Sequence, residues 1–208
     1  MKYIKGYWWP DDVEKQYRFS LKRIKSLLKI IEICKSINRT HTIIQAGGSI
    51  GVWPRILASH FQVVYTFEPE HYSFECLCRN LEGCKNVMKF QAALGSVHEG
   101  VRIHKKKMTS HFINGTGPTL QLSIDSLPVQ WCDAILLDVE GSESDALLGG
   151  ISIIEKYHPL ILVEARGKTN RQEVTVSVKE TADFLFRINY RKVLEIELDD
   201  IYEYKEGI

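Results

Sequence analysis

Acids at the ends of apolar strands are the residues of this chain best placed to do chemistry. Val63-Val64-Tyr65-Thr66-Phe67 reads as a buried strand ending in Glu68, and Pro69 stops it so that the carboxylate stays at the sheet edge. A second run, Ala134-Ile135-Leu136-Leu137, ends in Asp138, with Glu140 two residues later and Gly141 freeing a tight turn. A carboxylate at a buried strand end is costly unless it has a partner. The chain supplies a partner's setting in Thr42-Ile43-Ile44-Gln45-Ala46-Gly47-Gly48-Ser49-Ile50-Gly51, a strand running into a glycine turn that opens a helix. Glycines there remove the Cβ atoms that would keep backbone away from a ligand. An acid about 20 residues beyond such a turn is placed to accept hydrogen bonds from a ribose diol. An adenosine-containing cofactor is therefore expected.

The turn alone fits two cofactor classes. Ala46-x-Gly48-x-x-Gly51 is a degenerate dinucleotide fingerprint, as of an NAD-dependent oxidoreductase. Gly47-x-x-x-Gly51 is the looser turn of S-adenosylmethionine (SAM) enzymes. A purely structural turn is the bland alternative. No Walker-type Gly-Lys-Ser/Thr follows, which argues against a phosphate-cradling loop. Glu143 reads simply as an acid in a helix first turn, where it stabilises the helix dipole. Asp138 and Glu140 are harder to dismiss, since capping a loop explains one acid better than two. His111 lies in a polar segment, where a lone histidine is more often solvated. Lys105-Lys106-Lys107 reads as an exposed charge run that could also steer an anionic acceptor.

The elements that must position these groups alternate from residue 41 onward. Strands are expected near 41–46, 62–68, 87–93, 132–138 and 159–164, and helices near 51–60, 71–82, 142–156 and 173–188. Uninterrupted apolar runs suit strands covered on both faces, hence a parallel sheet in an α/β fold. Between Gly95 and Leu127 the pattern turns polar and turn-rich, with Asn114-Gly115-Thr116-Gly117-Pro118 as a break. Tyr190–Ile196 and Ile201–Tyr204 read as two strands joined by Leu198-Asp199-Asp200, so the last strand should run antiparallel. Residues 1–10 look aromatic and irregular, with Tyr7, Trp8 and Trp9 placed either to cover the cleft or to staple the N-terminal segment to the core. From Asp11 to about Ile37 the apolar spacing is helical. Lys15, Arg18, Lys22, Lys25 and Lys29 form a stripe on that helix, either a solvated flank or a docking surface for nucleic acid. The division expected is an N-terminal segment and helix over 1–38 and a cofactor-binding domain over 39–208.

Taken together, these motifs resemble one family. The glycine turn, Thr66-Phe67-Glu68-Pro69, Ala92-Ala93-Leu94-Gly95, Ser123-Ile124-Asp125-Ser126-Leu127, Leu137-Asp138-Val139-Glu140-Gly141-Ser142-Glu143 and Pro159-Leu160-Ile161-Leu162-Val163-Glu164 resemble the FkbM-type SAM-dependent methyltransferases, in order and spacing, over roughly residues 41–166. The resemblance implies a Rossmann-like class I methyltransferase sheet of seven strands, mostly parallel with an antiparallel last strand and helices on both faces. It implies SAM held by Gln45, Gly47, Gly48, Ser49 and Gly51, with Glu68 and Pro69 at the ribose, Gln91 and Ala92 beside the adenine, and Asp138 lining the site. It also implies O-methylation of a hydroxyl on a glycan or small molecule. A general base would assist such a transfer, and Asp138, Glu140 and then His111 are the candidates. One position departs from the pattern: the first strand usually ends in an acid, and Gln45 brings no charge to meet the cofactor's ammonium group. A nucleic-acid methyltransferase and a catalytically silent SAM-fold binding protein remain the alternatives.

Bulk composition narrows the rest. A chain of 208 residues, 44% hydrophobic and 25% charged, is an ordinary globular composition, and a net charge of +1 gives no global footprint for nucleic acid or membrane. No apolar run approaches the ~18 residues of a membrane span. Five cysteines without a Cys-x-x-Cys pair point to free thiols in a reducing cytoplasm, and no metal site is expected.

Overall fold

The computed structural model describes residues 1–11, 24–97, 100–106, 109–165 and 172–206, with 102–106, 109–116 and 172–177 described by backbone alone. The chain opens with an antiparallel hairpin of β1 (Lys2–Ile4) and β2 (Tyr7–Trp9), where an irregular segment was expected. The Trp9 indole donates to the Ile4 carbonyl and closes it. The first helix among the described residues is α1 (Ile24–Ser36); residues 12–23 of the helix expected from Asp11 lie outside them. Then come β3 (Thr42–Ala46), α2 (Val52–Leu57), β4 (Val63–Phe67), α3 (His71–Asn80) and β5 (Val87–Phe90). A second group follows: β6 (Ala93–Leu94), β7 (Gly100–Lys106), β8 (Thr109–Thr116) and β9 (Thr119–Leu122). The chain ends with β10 (Ala134–Leu137), α4 (Glu143–Leu148), α5 (Ile151–Tyr157), β11 (Leu160–Glu164), α6 (Gln172–Arg187), β12 (Tyr190–Ile196) and β13 (Asp199–Tyr204).

Seven strands form the central sheet in the order β12-β13-β11-β10-β3-β4-β5. The apolar runs pair in parallel: β3 with β4 and β10, β10 with β11, and β4 with β5. β13 runs antiparallel to β11 and β12, as the terminal hairpin required. Alternate side chains point to opposite faces and build two cores. On one face Ile43, Val64, Leu136 and Leu162 pack with Trp9, Leu27, Ile30, Leu57 and Leu77. On the other, Ile44, Phe67, Ile135 and Val163 pack with Leu94, Ile124, Leu147, Ile154 and Leu185. Helices thus cover both faces.

Several boundaries differ from expectation for physical reasons. The helix read over 142–156 is two, because Gly149 and Gly150 stand where a Cβ would strike the Gly95 carbonyl and the Ile124 side chain. Asp125 starts the second of these, its carboxylate accepting from the Ser152 and Ile153 amides at 3.0 Å each. The polar stretch after Gly95 holds three strands that join β6 in a four-stranded sheet of order β6-β9-β7-β8, and Asn114-Gly115-Thr116 lies inside β8. Its neck is closed: Ala93 and Leu94 pair with Gln121 and Leu122, and the Gly95 amide donates to the Leu122 carbonyl at 3.0 Å. The strand expected over 87–93 stops at Phe90. Asp199 and Asp200 belong to β13, and the terminal turn is Glu197-Leu198, with Glu197 at φ 56°.

Candidate functional site

Strand order reverses between β3 and β10, so the glycine turn and the acid loop open side by side at the carboxyl edge of the sheet. The turn is tied down from several directions. Gly47 and Gly48 both donate to the Phe67 carbonyl, and Gly51 donates to Gly48. Gly47 (φ 84°), Ser49 (φ 48°) and Gly51 (φ 93°) all take left-handed backbone. A Cβ on Gly47 would meet the Asp138 carbonyl, and one on Gly48 would meet Leu77 and the Thr66 hydroxyl. These two glycines are therefore required by the protein's own packing, whatever the turn also binds.

Glu68 caps that turn. Its Oε2 accepts from the Ser49 amide at 2.7 Å and its Oε1 from the Glu70 amide at 2.8 Å. The group is 7% exposed. Burial pushes its carboxyl up to about 7, with Glu70 and Asp138 adding repulsion and the two amides opposing the shift. Pro69 is half-buried beside it, and Glu70 caps α3 by accepting from Ser73. At the end of β5, Gln91 is exposed with its amide 3.4 Å from the His71 ring, while Ala92 is buried.

Gln45 faces elsewhere. It is fully buried in β3, its Oε1 accepting from the Thr66 hydroxyl at 2.6 Å and its Nε2 donating to the Ala46 carbonyl. The amide thus fills the layer beneath the glycine turn.

The acid loop divides its labour. Glu143, 3% exposed, folds the loop by accepting from the Val139 and Gly141 amides at 3.2 Å. Burial raises its carboxyl to about 7 as well. With Glu143 capping the loop, Glu140 (φ 54°) and Gly141 (φ 106°) make the turn, and Asp138 and Glu140 converge with Glu164 at the end of β11. Oxygens of these three carboxylates lie within 4.8 Å of one another, the one such group of acids, histidines or cysteines among the described residues close enough to share a cation. Glu164 was not singled out from sequence, although it too is an acid ending an apolar run.

His111 lies in β8 opposite His104, and its side chain is outside the described residues. So are Lys107, Lys15, Arg18 and Lys22. Lys25 reaches Glu197 at 3.8 Å and Lys29 pairs with Glu32 at 3.0 Å. All cysteines are free thiols, and among the described residues no helix is long and apolar enough to cross a membrane.

No family model matches the chain, and no curated protein does. Solved structures do. A methyltransferase FkbM from Methylobacillus flagellatus KT is 18% identical at a TM-score of 0.57, covering 79% of this chain and 44% of that one. The chain thus spans less than half the length of that protein. A candidate caffeoyl-CoA O-methyltransferase from Staphylococcus aureus is 13% identical with a TM-score of 0.58, covering 94% of this chain and 93% of the other. A candidate methyltransferase from Streptococcus mutans, solved in complex with S-adenosylhomocysteine (SAH), is 12% identical at 0.51, covering 78% and 87%. With its seven-stranded sheet, its switch point and these likenesses, the chain has the Rossmann-like fold of the class I methyltransferases.

Proposed function

We propose that the protein is a SAM-dependent O-methyltransferase of FkbM type, acting in the cytoplasm on a hydroxyl of a glycan or small molecule. The observation that carries this reading is the bond between the Ser49 amide and the Glu68 carboxylate, at the switch point of the sheet. It holds a strand-end acid against the glycine turn, where a ribose diol would find an acceptor. Gln91 and Ala92, after the next strand, are then the adenine neighbours.

SAM brings a sulfonium and an ammonium group, and the residues present suit that charge. Gln45 offers the ammonium no charge, and its amide is fully buried between Thr66 and Ala46. The converging carboxylates of Asp138, Glu140 and Glu164 supply the negative potential instead. When bound, SAM would supply the electrophilic methyl group. The chain's own part is to align acceptor and methyl, exclude water and take the hydroxyl proton. Asp138 or Glu140 is the base in this reading, at the mouth of the loop that Glu143 holds.

Calorimetry with SAH, SAM and NAD on the purified protein tests the proposal. SAH should bind and raise the melting temperature, as any ligand of the native state does. Binding of NAD without a response to SAH would overturn it.

A further inference from the structure

We infer that Asn80 is a positioning residue for the cofactor turn, and that it makes the N-terminal hairpin part of the cofactor site. This inference rests on the cofactor reading above. Asn80 ends α3 and is 8% exposed. Its Nδ2 donates to the Ile50 carbonyl at 2.7 Å, within the glycine turn, and to the Trp8 carbonyl at 2.9 Å. Its Oδ1 accepts from the Trp8 amide at 2.7 Å. One side chain thus pairs with β2 as a neighbouring strand would and holds the turn at the same time.

The same helix grips the turn's other support. At its start the Glu70 amide donates to Glu68, and Glu68 accepts from Ser49, the residue before Ile50. Cofactor acid, glycine turn and hairpin therefore meet on the two ends of α3. The turn needs this restraint, because Ser49 is a residue with a Cβ in left-handed backbone, which an unrestrained serine leaves readily. Releasing Ile50 lets the turn populate other conformers, and apparent affinity falls by the fraction still competent. The hairpin is firmly seated on its own account: Trp9 is 1% exposed in the core, and the Arg79 guanidinium lies 5.4 Å from the centre of the Trp8 ring. It is thus a rigid anchor against which Asn80 holds the turn.

The test compares wild type and Asn80→Ala by calorimetry with SAH and by amide hydrogen exchange, well below the melting temperature. The folded variant should bind SAH about tenfold more weakly or worse, the size expected when a buried carbonyl in the turn loses its donor. Exchange at Ser49 and Gly51 should quicken in the variant even without ligand. In wild type, SAH should slow exchange at the Trp8 amide, since coupling between two sites is reciprocal. A purely structural asparagine would lower the melting temperature and leave the SAH affinity unchanged, which would overturn the inference. Absence of SAH-dependent protection at Trp8 would do the same, and that measurement needs no variant. Failure of wild type to bind SAH would instead sink the cofactor reading, while the ligand-free exchange at Ser49 and Gly51 would still decide whether Asn80 holds the turn.

Discussion

Gly47 and Asp138 are packed so closely that a Cβ on the glycine would stand inside the aspartate's carbonyl group. The contact joins the first strand's turn to the acid loop, and the Asp138 amide donates in turn to the Ala46 carbonyl at 3.1 Å. The glycine turn and the acid loop are therefore one mechanical unit. Gly47→Ala must displace this contact and also place a side chain at φ 84°. Overpacking and left-handed strain together should cost roughly 2–4 kcal/mol. Gly83→Ala, with nothing near its Cβ, should stay within about 0.5 kcal/mol of wild type. Urea unfolding of both variants makes the comparison.

Glu68 should dominate cofactor affinity. Losing a charged acceptor costs ~1.5–3 kcal/mol, so Glu68→Ala should weaken SAH binding roughly tenfold to a hundredfold, as read by calorimetry. Because its carboxyl is raised to about 7 and ribose hydroxyls favour the ionised acceptor, SAH affinity should weaken as pH falls below about 7. Glu68→Gln should flatten that profile.

Stability without ligand carries the opposite sign. Glu68 and Glu143 both rise from an ordinary value of 4.5 to about 7 in the folded protein. Between those values the folded state keeps protons that the unfolded chain has released. Their contribution to stability therefore falls as pH rises through this window and levels off above it. Melting curves from pH 4.5 to 8 should show Glu68→Gln gaining on wild type toward the alkaline end, with Gln still able to accept the Ser49 amide. Equal slopes for the two proteins would show that Glu68 ionises normally.

The acids of the loop should separate by role. Glu143→Ala strips the Val139 and Gly141 amides of their acceptor and should lower the melting temperature by several degrees. Asp138→Asn and Glu140→Gln should each keep the fold and most of the SAH affinity, since two of the three converging carboxylates remain to face the ammonium group. With an acceptor in hand, their methyl transfer should drop ~10²–10⁴-fold if they hold the proton-accepting position. A melting loss in these two with normal turnover would make them loop residues instead.

What the sequence revealed follows from range. Ile135-Leu136-Leu137 needs no partner to declare a strand covered on both faces, and Phe67-Glu68-Pro69 marks a strand end by local chemistry alone. The terminal hairpin was legible for the same reason, although its turn lay a residue or two earlier than expected. The break between α4 and α5 was not, because Gly149 and Gly150 answer to Gly95 and Ile124, which are distant in sequence. β7 to β9 were hidden by polar content, since strands outside the central sheet need no apolar run. Glu164 ends an apolar run, as many surface acids do, and its convergence with Asp138 and Glu140 depends on the parallel register of β10 and β11. Asn80 gives no signal at all: a lone asparagine near a helix end has many uses, and this one is set by Trp8 and Ile50.

The closed neck of the small sheet separates what must be kept from what is free to vary. The chain leaves at Gly95 and returns at Gln121 along paired strands, and Asp145 of α4 clasps both ends, accepting from Ser96 at 2.5 Å and from Gln121 at 3.0 Å. The two strands at the neck, β6 and β9, are held side by side by this pairing and by Asp145. Changes of sequence or length beyond this joint fall outside the central sheet, whose strands pair independently of it.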